Sequence, residues 1–147
     1  MCERTSFDNA LGPALDHLTS EAHDRSMRIL LIEDDERLGP LVVRLLSAER
    51  HTVQLAATGA EGAAFWESHD WDLVILDRML PRVDGMEFLR RLRGSGSNVP
   101  VLMLTGLDDD ASITRAYEAG ATDLFVKSTQ WSLLAGRMRY LLRASRT

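Results

Sequence analysis

Only one cysteine, Cys2, stands in the 147 residues. No disulfide can close within the chain, and a reducing, cytoplasmic setting is expected. No apolar run approaches the roughly 20 residues that cross a bilayer, and the N-terminus lacks the basic-then-apolar pattern of a signal peptide. A basic surface is missing too. The net charge of -5 argues against a chain that holds nucleic acid by displacing counterions, so no direct nucleic-acid partner and no membrane partner are expected. Lysine is almost absent: of 17 Lys and Arg residues, only Lys127 is a lysine. A compact ammonium on a thin stem suits a crowded anionic pocket better than a planar guanidinium, which marks Lys127 as a site candidate.

The length suits one domain with a real core. Residues 1–26 read as an extension, either a flexible leader or a short amphipathic helix with Phe7, Leu11, Leu15 and Leu18 at helical spacing. Residues 27–147 read as the domain proper. Short apolar runs predict buried strands at Arg28–Ile32, Thr52–Ala56, Asp72–Leu76, Pro100–Leu104 and Asp123–Val126. Helical periods lie between them: Leu38, Leu41, Val42, Leu45 and Leu46 line one face of the first. Thr58 with Glu61, and Asp84 with Glu87, resemble capping boxes opening the second and third. The fourth carries Ile113, Ala116 and Tyr117 and stops at Gly120; the fifth carries Trp131, Leu134, Met138 and Leu141. Five strands alternating with five helices predict an α/β fold, a doubly wound parallel sheet of the flavodoxin type.

In such sheets ligands bind beyond the carboxyl ends of the strands. Four strands deliver polar groups there: Glu33-Asp34-Asp35, Asp77, Thr105-Gly106 and Lys127-Ser128. Crowded carboxylates repel unless a cation sits among them, and hard oxygen ligands suit Mg²⁺. A carboxylate beside Mg²⁺ can attack a phosphoryl group and form an acyl phosphate. Asp77 is the expected nucleophile; Asp34, Glu33 and the Met79 backbone carbonyl are the expected partners of the metal with it. Lys127, Thr105 and the Gly106 amide are expected to hold phosphoryl oxygens. Asp35 and Glu36 read instead as helix N-terminal acids, and Asp108-Asp109-Asp110 as a solvated loop with an N-cap.

From Arg28 to about Arg143 the chain resembles the receiver domain of bacterial two-component response regulators, on the stretches ILLIEDD, DLVILDRMLPRVDGMEFL, VPVLMLTG and GATDLFVK. The resemblance implies phosphorylation of Asp77 by a sensor histidine kinase or phosphotransfer protein. It also implies a switch through Thr105 that alters the face of helix 4, strand 5 and helix 5, where a homodimer or an output module would pair. The segments TGLDDDASITRAYEAGATDLFVK and WSLLAGRMRYLLRAS look like receivers that precede GGDEF or EAL modules, so a cyclic di-GMP output is an expectation. No such module follows before Thr147, which fits a stand-alone receiver or a fragment.

Two departures stand out. Ser128 occupies the place of the family's proline; a trans peptide and a rearranged loop are expected there, with Lys127 open to displacement. Leu124 replaces the switch aromatic, with Phe125 beside it. They leave room for an alternative, a pseudo-receiver that works as an interaction module without phosphorylation. An aspartyl phosphohydrolase is disfavoured because position 79, where its second acid would stand, is Met. The chain therefore reads as a phosphoacceptor and not an enzyme, apart from slow loss of its own phosphate.

Overall fold

The computed structural model describes residues 26–106, 109–127 and 131–145. Five strands, β1 (Arg28–Ile32), β2 (Thr52–Ala56), β3 (Leu73–Asp77), β4 (Val101–Thr105) and β5 (Asp123–Val126), form one parallel sheet in the order β2-β1-β3-β4-β5. The connecting helices are α1 (Leu38–Ser47), α2 (Gly59–Ser68), α3 (Gly85–Gly94), α4 (Asp110–Ala119) and α5 (Leu134–Ser145), the last entered through a 3₁₀ turn at Trp131–Leu133. The doubly wound α/β fold is as expected.

Side-chain alternation along the strands divides the core. Ile29, Leu31, Leu73, Ile75, Leu102 and Leu104 face α1 and α5, meeting Val42, Leu46, Leu134 and Met138. Leu30, Ile32, Val74, Leu76, Val101 and Met103 face the other layer, including Met86 and Leu89 of α3 and Ala116 of α4. β1, β3 and β4 are sealed on both faces, which is why they read as unbroken apolar runs.

The helix signals act largely as expected. Thr58 accepts the Glu61 amide, while Glu61 reaches back to the amide of Ala57. Asp84 accepts the Met86 amide, and Asp109 that of Ser112. Gly120 ends α4 at φ 114°, where a side chain would be strained. Tyr117 departs from expectation: it is exposed rather than turned into the core. Two strand boundaries also need correcting. β3 and β4 each start and end one residue later than the apolar runs suggest, because Asp77 pairs with Leu104 and Thr105 with Val126 in the ladder. Pro100, having no N–H, contributes only its carbonyl, to Val74. Residues 1–25, Leu107, Asp108 and Ser128 lie outside the described residues, and with them the leader and the peptide bond after Lys127.

Candidate functional site

The strand order reverses between β1 and β3, and the crevice opens there. Glu33 and Asp34 leave the end of β1, and Asp77 is the last residue of β3. Ligand oxygens of these three carboxylates lie within 4.8 Å of one another. Glu33 and Asp77 are each about 1% exposed, whereas Asp34 is only half-buried. Local folding explains their aim. The Asp35 amide donates to Glu33 Oε2, while the Asp35 carboxylate accepts the amides of Arg37 and Leu38 at the start of α1. Asp35 is thus spent on the helix, as expected, and those hydrogen bonds hold its pKa low. Gly85 lets α3 begin against the end of β3, since any Cβ there would collide with the backbone carbonyl of Asp77.

Lys127 joins the set from the end of β5. Its Nζ lies 2.9 Å from Asp77 Oδ1 and 3.3 Å from Glu33 Oε1. The displacement that Ser128 left open for Lys127 is therefore not seen. The Lys127 amide donates to the Thr105 carbonyl at 2.8 Å, so the β4–β5 ladder fixes its backbone before position 128 is reached. Thr105 is buried at the end of β4 beside this ladder; Gly106 is exposed, and a Cβ added there would meet nothing within 4 Å. An incoming group has open access at Gly106, although packing does not demand glycine.

The electrostatics are those of an undercompensated anionic pocket. Burial, and then the neighbouring Asp77, pushes Glu33 up to about 7 against the pull of its backbone hydrogen bond to Asp35. Burial alone would lower Lys127, but contact with Asp77 and Glu33 more than reverses that and its pKa is raised. Among the described residues, Asp77 Oδ2 has no hydrogen-bond partner, and Glu33 Oε1 has only the Lys127 ammonium at 3.3 Å. Buried oxygens without donors are costly. With all three carboxylates ionised against one ammonium, two net negative charges would remain, which a divalent cation with oxygen preference would balance while drawing the proton from Glu33. The donor set fits Mg²⁺. The Met79 amide donates to Asp77 Oδ1, which places the residue expected to lend its carbonyl on the same loop.

Two structural features, one near the site and one remote from it, were not signalled by the sequence. Arg82, in the loop after Asp77, takes φ 67°, a strained conformation for arginine. Arg93 stitches the opposite edge of the sheet, donating to the carbonyls of Gly120, Ser97 and Val99. Arg82 lies within the stretch DLVILDRMLPRVDGMEFL, but nothing in residue type marks its backbone conformation, and a half-buried arginine such as Arg93 in an Arg-rich chain has no distinguishing pattern.

Comparison with known proteins agrees with this geometry. The family described as "Response regulator receiver domain" matches residues 29–139. Response regulator MprA of Mycobacterium tuberculosis is 38% identical over 121 residues, covering 82% of this chain and 53% of that protein. Transcriptional regulatory protein AfsQ1 of Streptomyces coelicolor is 37% identical over 115 residues, covering 78% of this chain and 51% of that protein. The chain thus spans about half the length of these relatives. The BeF3-activated N-terminal receiver domain of Klebsiella pneumoniae RstA superposes with a TM-score of 0.74 at 35% identity, covering 79% of this chain and 98% of that one. The Francisella response regulator 1452 receiver domain, at 22% identity and a TM-score of 0.78 over 82% of this chain and 99% of that one, shares the fold. With the acidic crevice, the lysine across it and the family match over the whole sheet, this chain belongs to the response regulator receiver domains.

Proposed function

We propose that the chain is a Mg²⁺-dependent phosphoacceptor, with Asp77 taking a phosphoryl group from a sensor histidine kinase or phosphotransfer protein. The observation that carries this reading is the Lys127 ammonium 2.9 Å from Asp77 Oδ1 while the buried Oδ2 of the same carboxylate has no hydrogen-bond partner. That oxygen attacks phosphorus, an O–P bond forms, and the donor's bond to phosphorus breaks with its electrons leaving on the donor. Lys127, the Thr105 hydroxyl and the Gly106 amide then hold the equatorial phosphoryl oxygens. Mg²⁺ held by Glu33, Asp34, Asp77 and the Met79 carbonyl would supply charge neutralisation for those oxygens.

Phosphorylation draws Thr105 toward the acyl phosphate and re-sets the face of α4, β5 and α5 for a homodimer or an output module. For the output, the relative named as a transcriptional regulatory protein favours control of transcription by a longer protein over the cyclic di-GMP output expected from the C-terminal likeness. The net charge of -5 keeps direct nucleic-acid contact out of this chain's own role. The reading places the domain in the cytoplasm with its kinase; among the described residues no helix is long and apolar enough to cross a membrane. The chain is no turnover enzyme: Met79 offers no second acid to activate water, so the phosphate is lost slowly.

Incubation with Mg²⁺ and acetyl phosphate, followed by intact-mass measurement, tests the proposal. A gain of one phosphoryl group, lost in Asp77→Asn and on chelation, is expected. No gain in the wild-type chain would favour the phosphorylation-independent module. Rapid spontaneous hydrolysis of the purified phosphoprotein would overturn the argument from Met79.

A further inference from the structure

A second recess lies at the other end of the strands. It is a cleft of about 500 Å³ where the end of α2 and the turn into β3 face the loop that leads into β4. The five residues of β3 put it roughly 15 Å from Asp77 at about 3.3 Å per residue, too far to share that site. Trp66 and Trp71, both half-buried against the core, line it together with His69. The acids Glu67 and Asp70 line it too, and no lysine or arginine does.

Both walls are braced. The Trp71 indole N–H donates to the Phe65 carbonyl at 3.0 Å, and His69 packs edge-on against Trp71 with ring centroids 5.9 Å apart. The facing wall, Ser97 and Val99, is tied by the Arg93 guanidinium through both their carbonyls. Both tryptophans leave part of their ring surface to solvent, more than packing against the core requires.

We infer that this cleft is a docking site for an arginine side chain of a partner protein. The negative face of an indole attracts a cation, tryptophan being the best of the aromatic hosts. A guanidinium is planar and weakly hydrated, so it stacks on a ring while its N–H groups remain free to reach carboxylates. Glu67 and Asp70 supply those carboxylates, and among the described residues no lysine or arginine lines the cleft to repel the guest. The breadth and shallowness suit one protruding side chain better than an enclosed small molecule.

The test is a titration of the ¹⁵N-labelled full chain with N-acetyl-arginine amide, followed by NMR. Saturable shifts are expected in the indole signals of Trp66 and Trp71 and in the amides of Ser97 and Val99, with the Trp131 indole unmoved. The lysine amide should bind at least threefold more weakly, and the neutral glutamine amide should give no saturable shift. The double variant Glu67→Gln/Asp70→Asn, shown to be folded by its own spectrum, should weaken arginine binding at least threefold. Asp77→Asn should leave it unchanged. No saturable shift, equal binding of the glutamine or lysine amide, or unaltered affinity in the double variant would each overturn the inference.

Discussion

The two ends of the sheet are built on opposite principles. At the amino end the charged and polar groups are spent on backbone: Arg93 caps three carbonyls, Asp72 takes the Arg28 amide, Thr122 takes that of Val101, and His51 accepts the Met27 amide. At the carboxyl end Glu33, Asp34 and Asp77 crowd together, and among the described residues the buried Asp77 Oδ2 has no hydrogen-bond donor. The first end is held together through backbone carbonyls and amides; the second gathers like charges in a buried crevice. Positive backbone angles fall at both ends, at Arg50 before β2 and at Arg82 after β3.

That contrast can be broken most sharply at Asp77. Asp77→Asn should abolish phosphoryl uptake in the mass assay while leaving the metal-free urea midpoint unchanged or raised, because it removes one of the buried repelling charges. A large drop in the midpoint would show that Asp77 serves stability, as the amino end does. Lys127→Met should slow uptake by about 10²–10³-fold, the usual consequence of deleting one donor to a developing anion. Next comes the metal. Mg²⁺ at a hundredfold excess over its Kd should add about 2.7 kcal/mol to unfolding stability. Most of that gain should vanish in Asp34→Asn, whereas K⁺ at matched ionic strength should give none.

At the amino end the expectations reverse. Arg93→Met should cost about 2 kcal/mol, since it strands three carbonyls in two loops, and phosphoryl uptake per folded molecule should not change. The smallest effect concerns pH. Burial lowers the His51 pKa below its ordinary 6.5, with Arg139 acting the same way and Glu49 and Asp72 opposing. The unfolded chain therefore takes a proton near pH 6.5 that the folded chain refuses. The stability His51 contributes is present above pH 6.5 and is lost as pH falls through its depressed folded value. His51 is only half-buried, so solvent screening keeps the effect small, visible as a flatter pH profile of Tm in His51→Gln.

Much of the carboxyl end was legible from residue order alone. Glu33, Asp34, Asp77, Thr105 and Lys127 each follow or end an apolar run, and a parallel sheet must bring such positions to one edge. The lone lysine was a compositional signal that the 2.9 Å contact with Asp77 explains. The amino end was largely unreadable. Arg93 gathers carbonyls from positions 97, 99 and 120, and Trp66 and Trp71 become a cleft only once the β4 loop faces them. Nothing in residue spacing encodes such meetings, which depend on how loops from separate crossovers close.

Position 127 shows the division most clearly. The Ser128 substitution left Lys127 open to displacement, because local backbone preference was the only information there. The backbone hydrogen bond to Thr105 overrides it, since a ladder already formed over four residue pairs extends one step further at little entropic cost. Alternating apolar runs, helix stops and strand-end acids determined the fold and the members of the site. Tertiary structure alone decided how deeply Glu33 and Asp77 are buried, which oxygens lack donors and where Lys127 points, because burial and distance arise only when β1, β3, β4 and β5 are packed side by side.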